Sequence, residues 1–411
     1  MGATQNSELV SDADVATPLG NGGFAAKLFS GQKVPALAAR IGASIGSLLG
    51  RPIRIGDKVI AARHADVLDL LARDLDFRIG PVNEVKIDAV NGGPFVLGMD
   101  RGDRLARERE ALYRALAEVD TASLHQAAEA DARRQLDAAG EAIDVVGDYA
   151  RPVAAHTARR LFGIGSGLDP TLFMDVARAI FAHTFLNQTN DEAVKARALR
   201  AAVLMRQWFD AEIARRRAGG EAPPDMMSAL LRNTWLDDDT VRRTLGGMLV
   251  GSIDTTASTV AKIVATLAGD KALTACVAAD VDNPGRLEGW CLDVMRHWPH
   301  NPIVIRQAAQ DTVFNTVKVK KGDQMIAWTQ AAMLDASVFP SPGLLRPDRP
   351  PSTYLHFGGG LHPCAGRVVN AFQIPLLVGG LVRRGIVSAG PIEWAGPFPN
   401  RLVVTLKGPT P

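Results

Sequence analysis

The segment Phe357-Gly-Gly-Gly-Leu-His-Pro-Cys-Ala-Gly-Arg367 constrains this chain most. It sets one cysteine in a glycine-rich loop directly before a long apolar helix, expected over Val368 to Arg384 despite Pro375 and Gly379-Gly380. A helix N-terminus carries partial positive charge and unpaired amides, which stabilise a thiolate and donate hydrogen bonds to its sulfur. The glycines let the backbone pass close to a flat ligand, and Pro363 stiffens the loop. Such a thiolate can ligate iron. A lone cysteine in a turn is ordinarily a buried free thiol, and zinc would need further ligands at CxxC or HxxH spacing, which is absent here.

The remaining composition bounds the setting of that loop. Hydrophobic residues make up 47% of the 411 positions and charged residues 22%, enough to bury a large core without metal or disulfide staples. The net charge of +2 gives no field that would favour nucleic acid, so no nucleic-acid partner is expected. Three unpaired cysteines, Cys276, Cys291 and Cys364, indicate a reducing compartment. The polar, acidic N-terminus has neither a secretory pattern nor an apolar span of about 20 residues, so a cytoplasmic protein without a membrane span is expected.

Along the chain, Ala36 to Leu49 suits a surface helix, and Pro52 to Ala61 alternates around Gly56-Asp57 as a hairpin. Gly80 to Gly98, rich in glycine and proline, reads as a long irregular connection and a candidate substrate loop. From Asp100 to Leu267 the apolar spacing predicts about six helices, with breaks at Asp120, Gly140, Gly163 to Pro170, Thr189 to Asp191 and Gly219 to Pro224. Strand patterns return only near Ile303 to Ala308, Thr316 to Val319 and Leu402 to Leu406. The expected fold is mainly α with small peripheral β-sheets. Residues 1–30 are expected to form a flexible tail and 31–411 a single domain.

The spacing Phe-x-x-Gly-x-His-x-Cys-x-Gly resembles the haem-binding loop of cytochromes P450, and about 350 residues follow that family's plan. The resemblance implies the cytochrome P450 fold, haem b as cofactor, Cys364 as axial iron ligand, and Phe357 and Gly366 against the haem. Gly251-Ser-Ile-Asp-Thr-Thr256 resembles the family's oxygen-binding helix, expected here as one helix from Asp237 to about Leu267. Asp254 and Thr255 would then help deliver protons, although an Asp-Thr pair alone is more often a solvated turn or kink.

Asp293-Val-Met-Arg296 occupies the place of the family's Glu-x-x-Arg, and Arg349 supplies its second arginine. Spacing of three puts Asp293 and Arg296 on one helix face, but the aspartate is one methylene shorter than the family's glutamate, so its reach is in question. By resemblance Arg306 and His362 would hold a haem propionate. Asp103 stands where the family often has a histidine; Arg107 keeps the family's arginine, with Arg104 and Arg109 as substitutes. Wall candidates are Phe95, Phe181, Phe185, Ile253, Ile303, Val304 and Phe398, each of which taken alone is more simply a core residue.

These features imply a monooxygenase acting on a small apolar molecule. No reductase segment is evident, so electrons would come from a ferredoxin or flavodoxin-like donor with its reductase. Competing readings are a haem-thiolate peroxygenase, isomerase or dehydratase, and, outside enzymes, a haem-binding carrier or sensor.

Overall fold

The computed structural model describes residues 33–164, 167–187 and 189–408. The tail expected over residues 1–30 lies outside the described residues. The described chain opens with helix α1 (Lys33–Leu49), hairpin strands β1 (Ile53–Ile55) and β2 (Lys58–Ala61), α2 (His64–Ala72), β3 (Phe77–Arg78) and α3 (Gly80–Asn91). The helical body follows as α4 (Asp103–Glu118), α5 (Thr121–Ala138), strand β4 (Ala142–Asp144), α6 (Arg151–Phe162), α7 (Pro170–Phe181) and α8 (Glu192–Arg217). It continues through α9 (Met226–Leu231), α10 (Asp238–Val250), α11 (Asp254–Ala268), α12 (Lys271–Ala279) and α13 (Pro284–His297). The last part carries β5 (Val304–Ala308), β6 (Thr312–Phe314), β7 (Val317–Val319), β8 (Gln324–Ala327), α14 (Thr329–Ala332) and α15 (Arg367–Arg384). It ends with β9 (Ile386–Ala389), β10 (Glu393–Ala395), β11 (Phe398–Arg401) and β12 (Val403–Leu406).

The helix boundaries follow local chemistry. Asp120 accepts from the amides of Ala122 and Ser123 to start α5, Asp191 from those of Ala193 and Val194 to start α8, and Asp237 from that of Thr240 to start α10. Gly92 and Gly163 end α3 and α6 at φ of 73° and 70°, a left-handed position where glycine carries no Cβ penalty. The sheets are peripheral. The largest has the order β1-β2-β8-β5-β3, and β12 lies between β4 and β9. In the first, β5 pairs antiparallel with β8, Arg306 opposite Met325, which fixes the face on which Arg306 projects.

Three expectations need correction. Residues 80–91 form a helix rather than irregular chain, because Pro81 sits in the first turn, where its fixed φ favours a helix, and only the glycines that follow break it. The helix expected from Asp237 to Leu267 is interrupted at 251–253. Hydroxyls compete there for backbone carbonyls: Ser252 Oγ donates to Leu249 (2.8 Å), Thr255 Oγ1 to Gly251 (2.5 Å) and Thr256 Oγ1 to Ser252 (3.1 Å). The strands are also more numerous than the sequence pattern suggested. β4, for example, is three residues long, and its place is set by pairing with β12, Ile143 opposite Val404, more than 250 residues away.

Helices α11, α13 and α15 pack around one apolar core with α5 and α6. The two glycines inside α15 mark close approaches. A Cβ at Gly379 would come within 2.9 Å of Leu287, and one at Gly380 within 2.6 Å of Tyr149 Oη. A second core, under α4, α6 to α10 and the Phe95 loop, meets the first beside the end of α15 that carries Cys364. No helix among the described residues is long and apolar enough to cross a membrane.

Candidate active site

Between the two cores lies an apolar cavity of about 380 Å³. Cys364 is on its wall. The loop folds back so that the Cys364 amide donates to the Phe357 carbonyl at 2.8 Å, and α15 begins at Arg367, two residues beyond Ala365. The amides of Gly366 and Arg367 point at the cysteine sulfur. Burial pushes the thiol up, and those two amides oppose the rise; a coordinated metal would deprotonate it outright. The loop is anchored from behind. Gly360 has φ of 65°, and a Cβ there would fall 1.9 Å from the Leu71 carbonyl oxygen, so no larger residue fits. Tyr113 of α4 donates to the Pro363 carbonyl (3.4 Å).

Arg306, His362 and Arg109 also line the cavity. Arg306 is 5% exposed, donates to its own strand's Ile305 carbonyl (2.8 Å), and forms no ion pair among the described residues. Burial lowers its guanidinium to about 10. Burial, followed by the charge of Arg306, lowers His362 to about 4. A buried cation without an anionic partner, next to a neutral imidazole, is a place prepared for a ligand carboxylate. Arg109 stacks on Tyr113, its guanidinium carbon 5.1 Å from the ring centroid. Arg107 is exposed, and exposed Arg104 is paired with Glu108 at 2.7 Å, so of the three arginines only Arg109 reaches the cavity. A soft sulfur ligand on one wall and unpaired cations at its edge fit a flat iron macrocycle with carboxylate arms.

Another part of the wall is the break between α10 and α11. Gly251, Ser252, Thr255 and Thr259 line the cavity; Asp254 and Ile253 do not. Asp254 is buried, with Oδ1 bonded to Arg178 Nε (2.9 Å) and Nη2 (2.6 Å) and 3.0 Å from Arg151 Nε, while Oδ2 has no hydrogen-bond partner. Burial disfavours its charge, but Arg178 first and then Arg151 hold the carboxyl below the ordinary range. Thr256 Oγ1 also lies 2.9 Å from Asn370 Oδ1, where its one proton is shared with the Ser252 carbonyl, tying this wall to α15, the helix that follows Cys364.

Phe95, Phe181, Phe185, Ile303, Val304, Phe357 and Gly366 line the cavity as expected of wall or cofactor-facing residues. Phe95 lies flat on Gly247, where a Cβ would meet its ring at 2.5 Å. Phe398 stands one layer back, fully buried and edge-on to Phe181. The sequence reading missed Arg151 and Arg178, whose only signal was an arginine on the apolar face of a helix, and Asn370 and His300, which gave none.

Asp293 and Arg296 are both fully buried and doubly bonded, Arg296 Nε to Oδ1 at 2.7 Å and Nη2 to Oδ2 at 3.2 Å. Arg349 Nε lies 3.1 Å from Oδ1, Tyr354 donates to Oδ1 (3.0 Å), and the Arg346 amide donates to Oδ2 (2.8 Å). The shorter carboxylate therefore reaches its partners.

The cytochrome P450 family model matches residues 288–389, which include the Asp293–Arg296 pair and Cys364. Among curated proteins, nocardicin C N-oxygenase of Nocardia uniformis subsp. tsuyamanensis is 29% identical over 268 residues, 63% of this chain and 64% of that protein. Cytochrome P450 109 of Bacillus spizizenii is 27% identical over 179 residues, 43% of each, and the steroid C26-monooxygenase of Mycolicibacterium smegmatis 29% over 140 residues, 33% of each. The matches thus span between about a third and two thirds of these relatives.

The fold is that of P450BioI, solved with an acyl carrier protein bearing hexadec-9Z-enoic acid, at a TM-score of 0.79 and 17% identity over 90% of this chain and 99% of that one. It is likewise that of the open cytochrome P450 Eryk of S. erythraea, at a TM-score of 0.76 and 19% identity over 93% and 99%. The chain thus shares the fold of these cytochrome P450 structures, and the part that the family model matches holds both Cys364 and the Asp293 network.

Proposed function

We propose that this protein is a haem-thiolate monooxygenase that inserts one oxygen atom from dioxygen into a small, largely apolar organic molecule, taking electrons from a separate ferredoxin or flavodoxin-like donor. The observation that carries this reading is that Cys364 and the hydroxyl-rich helix break at Gly251–Thr255 line one apolar cavity. Bound through Cys364, haem b supplies the redox and dioxygen chemistry that side chains lack.

The chain's own groups do the rest. The amides of Gly366 and Arg367 hold charge on the sulfur, and Arg306, Arg109 and His362 supply donors for carboxylate arms. Thr255 Oγ1 sends its proton to the Gly251 carbonyl and so turns a lone pair towards the cavity, where it accepts from a water. Asp254 Oδ2 is buried without a partner, so it would take part in proton delivery once a water reaches it. Phe95, Phe181 and Phe185 exclude bulk water from the space where substrate lies. Arg367, exposed at the start of α15, suits an acidic donor on the cysteine side.

The reduced, carbon monoxide-bound absorption spectrum tests the central claim. Wild type should give a strongly red-shifted Soret band and Cys364→Ala should lose it; an unchanged band in the variant would overturn the assignment. Arg367→Glu should slow reduction by the donor and leave dithionite reduction unaltered.

A further inference from the structure

The Pro299–Pro302 turn joins α13 to β5 and forms part of the cavity wall. It is pinned at both ends. Lys262 Nζ, fully buried on α11, donates to the Pro299 carbonyl at 3.0 Å, and the Pro302 carbonyl accepts from Thr329 Oγ1 (2.9 Å) and the Gln330 amide (3.1 Å). His300 is therefore held in place by its backbone.

Its ring packs in a triangle with two phenylalanines, 6.1 Å from Phe398 with planes 29° apart and 5.6 Å from Phe181, which are themselves 5.8 Å apart. Neither phenylalanine offers a hydrogen bond, and neither Nδ1 nor Nε2 has a partner. Two other histidines in the interior are half satisfied: His64 Nε2 meets the Thr353 carbonyl and His356 Nε2 the Leu292 carbonyl, both at 2.8 Å. An unmade hydrogen bond on a buried polar group costs about 1–3 kcal/mol, so a ring with two of them is poised for a partner that arrives later. His300 lines the cavity and retains some accessible surface, while both ring nitrogens are covered. A half-turn about Cβ–Cγ exchanges nitrogen and carbon positions within the same ring outline, so it can bring a nitrogen to the open side without disturbing the aromatic packing.

We infer that His300 is the hydrogen-bonding anchor of the substrate pocket, and that the cavity takes an apolar molecule bearing one neutral hydroxyl or carbonyl group. Burial, with the Lys262 ammonium nearby, lowers the imidazole to about 3. It therefore meets ligands uncharged at neutral pH, as one donor and one acceptor, and a carboxylate gains no ion pair from it. The inference deepens the monooxygenase reading and rests on it for the role of the cavity.

A matched pair of probes tests it, cyclooctanol and cyclooctane, titrated into the holoprotein by calorimetry. Wild type should prefer the alcohol by about tenfold, the worth of one hydrogen bond to a prepared site. His300→Phe should bring that ratio close to one while keeping cyclooctane affinity within about twofold, and His300→Gln should keep most of the preference. Equal affinity of wild type for the two probes, or an alcohol preference undiminished in His300→Phe, overturns the assignment; in the latter case another polar group of the cavity wall holds the hydroxyl. Calorimetry reads this apart from the carbon monoxide spectrum, so a failure of the haem-thiolate reading is seen separately.

Discussion

Two buried aspartates, Asp293 and Asp254, each hold two arginines, yet they are finished differently. Both oxygens of Asp293 are used, by Arg296, Arg349, Tyr354 and the Arg346 amide. Asp254 crowds both arginines onto Oδ1 and leaves Oδ2 open. The partners differ too. Without Asp293, Arg296 and Arg349 retain backbone carbonyls of the 333–344 segment and the Phe339 ring, with no carboxylate among them. Without Asp254, Arg151 still has Asp175 at 3.1 Å and Arg178 still has Asn400 at 2.7 Å. A carboxylate that closes a network serves the fold, whereas one with a buried oxygen left unpaired, on arginines with spare partners, can change its contacts without unfolding the chain.

The largest expected effect follows from removing the closed one. Asp293→Ala strands two buried guanidinium groups and should cost about 3–5 kcal/mol in urea unfolding, with haem retention falling alongside. Asp254→Asn should separate the two roles. Its unfolding cost should stay near about 1 kcal/mol because Asp175 and Asn400 remain, while turnover of a bound substrate should fall about 100-fold, the usual worth of a placed proton-transfer group. Equal unfolding losses in the two variants would break the comparison.

What could be read from sequence divides along the same line. Cys364 and the Asp293–Arg296 pair were legible because their chemistry is local: a cysteine three residues from a helix start, and a carboxylate one turn from its arginine. The Asp254 partners were not, since Arg151 and Arg178 come from helices 76 or more positions upstream and only packing brings them together. For the same reason the spacing could not choose among Arg104, Arg107 and Arg109, because the choice depends on which face of α4 turns to the cavity. Helix α3 was hidden by a proline that begins a helix as readily as it breaks one, and β4 by its dependence on a distant strand.

A smaller effect sharpens the account of Asp293. If the shorter carboxylate were a compromise, Asp293→Glu would stabilise the protein. The site is fully buried, and every oxygen contact lies between 2.7 and 3.2 Å. An added methylene must displace Arg346 or Tyr354, and thermal unfolding should show a loss of about 1–2 kcal/mol.

The smallest effect is a matter of pH and distinguishes the histidines beside these carboxylates from the carboxylates themselves. Burial lowers His297 and His356, next to the Asp293 network, to about 4, and His300, near Asp254, to about 3. In the unfolded chain a histidine takes its proton near pH 6.5. Between about pH 6.5 and 4 the unfolded state therefore binds more protons than the folded one, and stability should fall as pH is lowered through that window. Asp293 and Asp254 are held below the ordinary carboxylate range, so their contribution is complete above about pH 4 and is lost only as pH falls through their folded values. Urea midpoints measured from pH 7.5 down to about pH 2 should then decline in two stages. His356→Phe should flatten part of the upper stage alone. Asp293→Asn, already weaker at neutral pH, should lose part of the lower stage and keep the upper one. A variant that altered both stages equally would mean that the histidines and the network titrate as one unit, and the separation between a closed carboxylate and its neutral neighbours would fail.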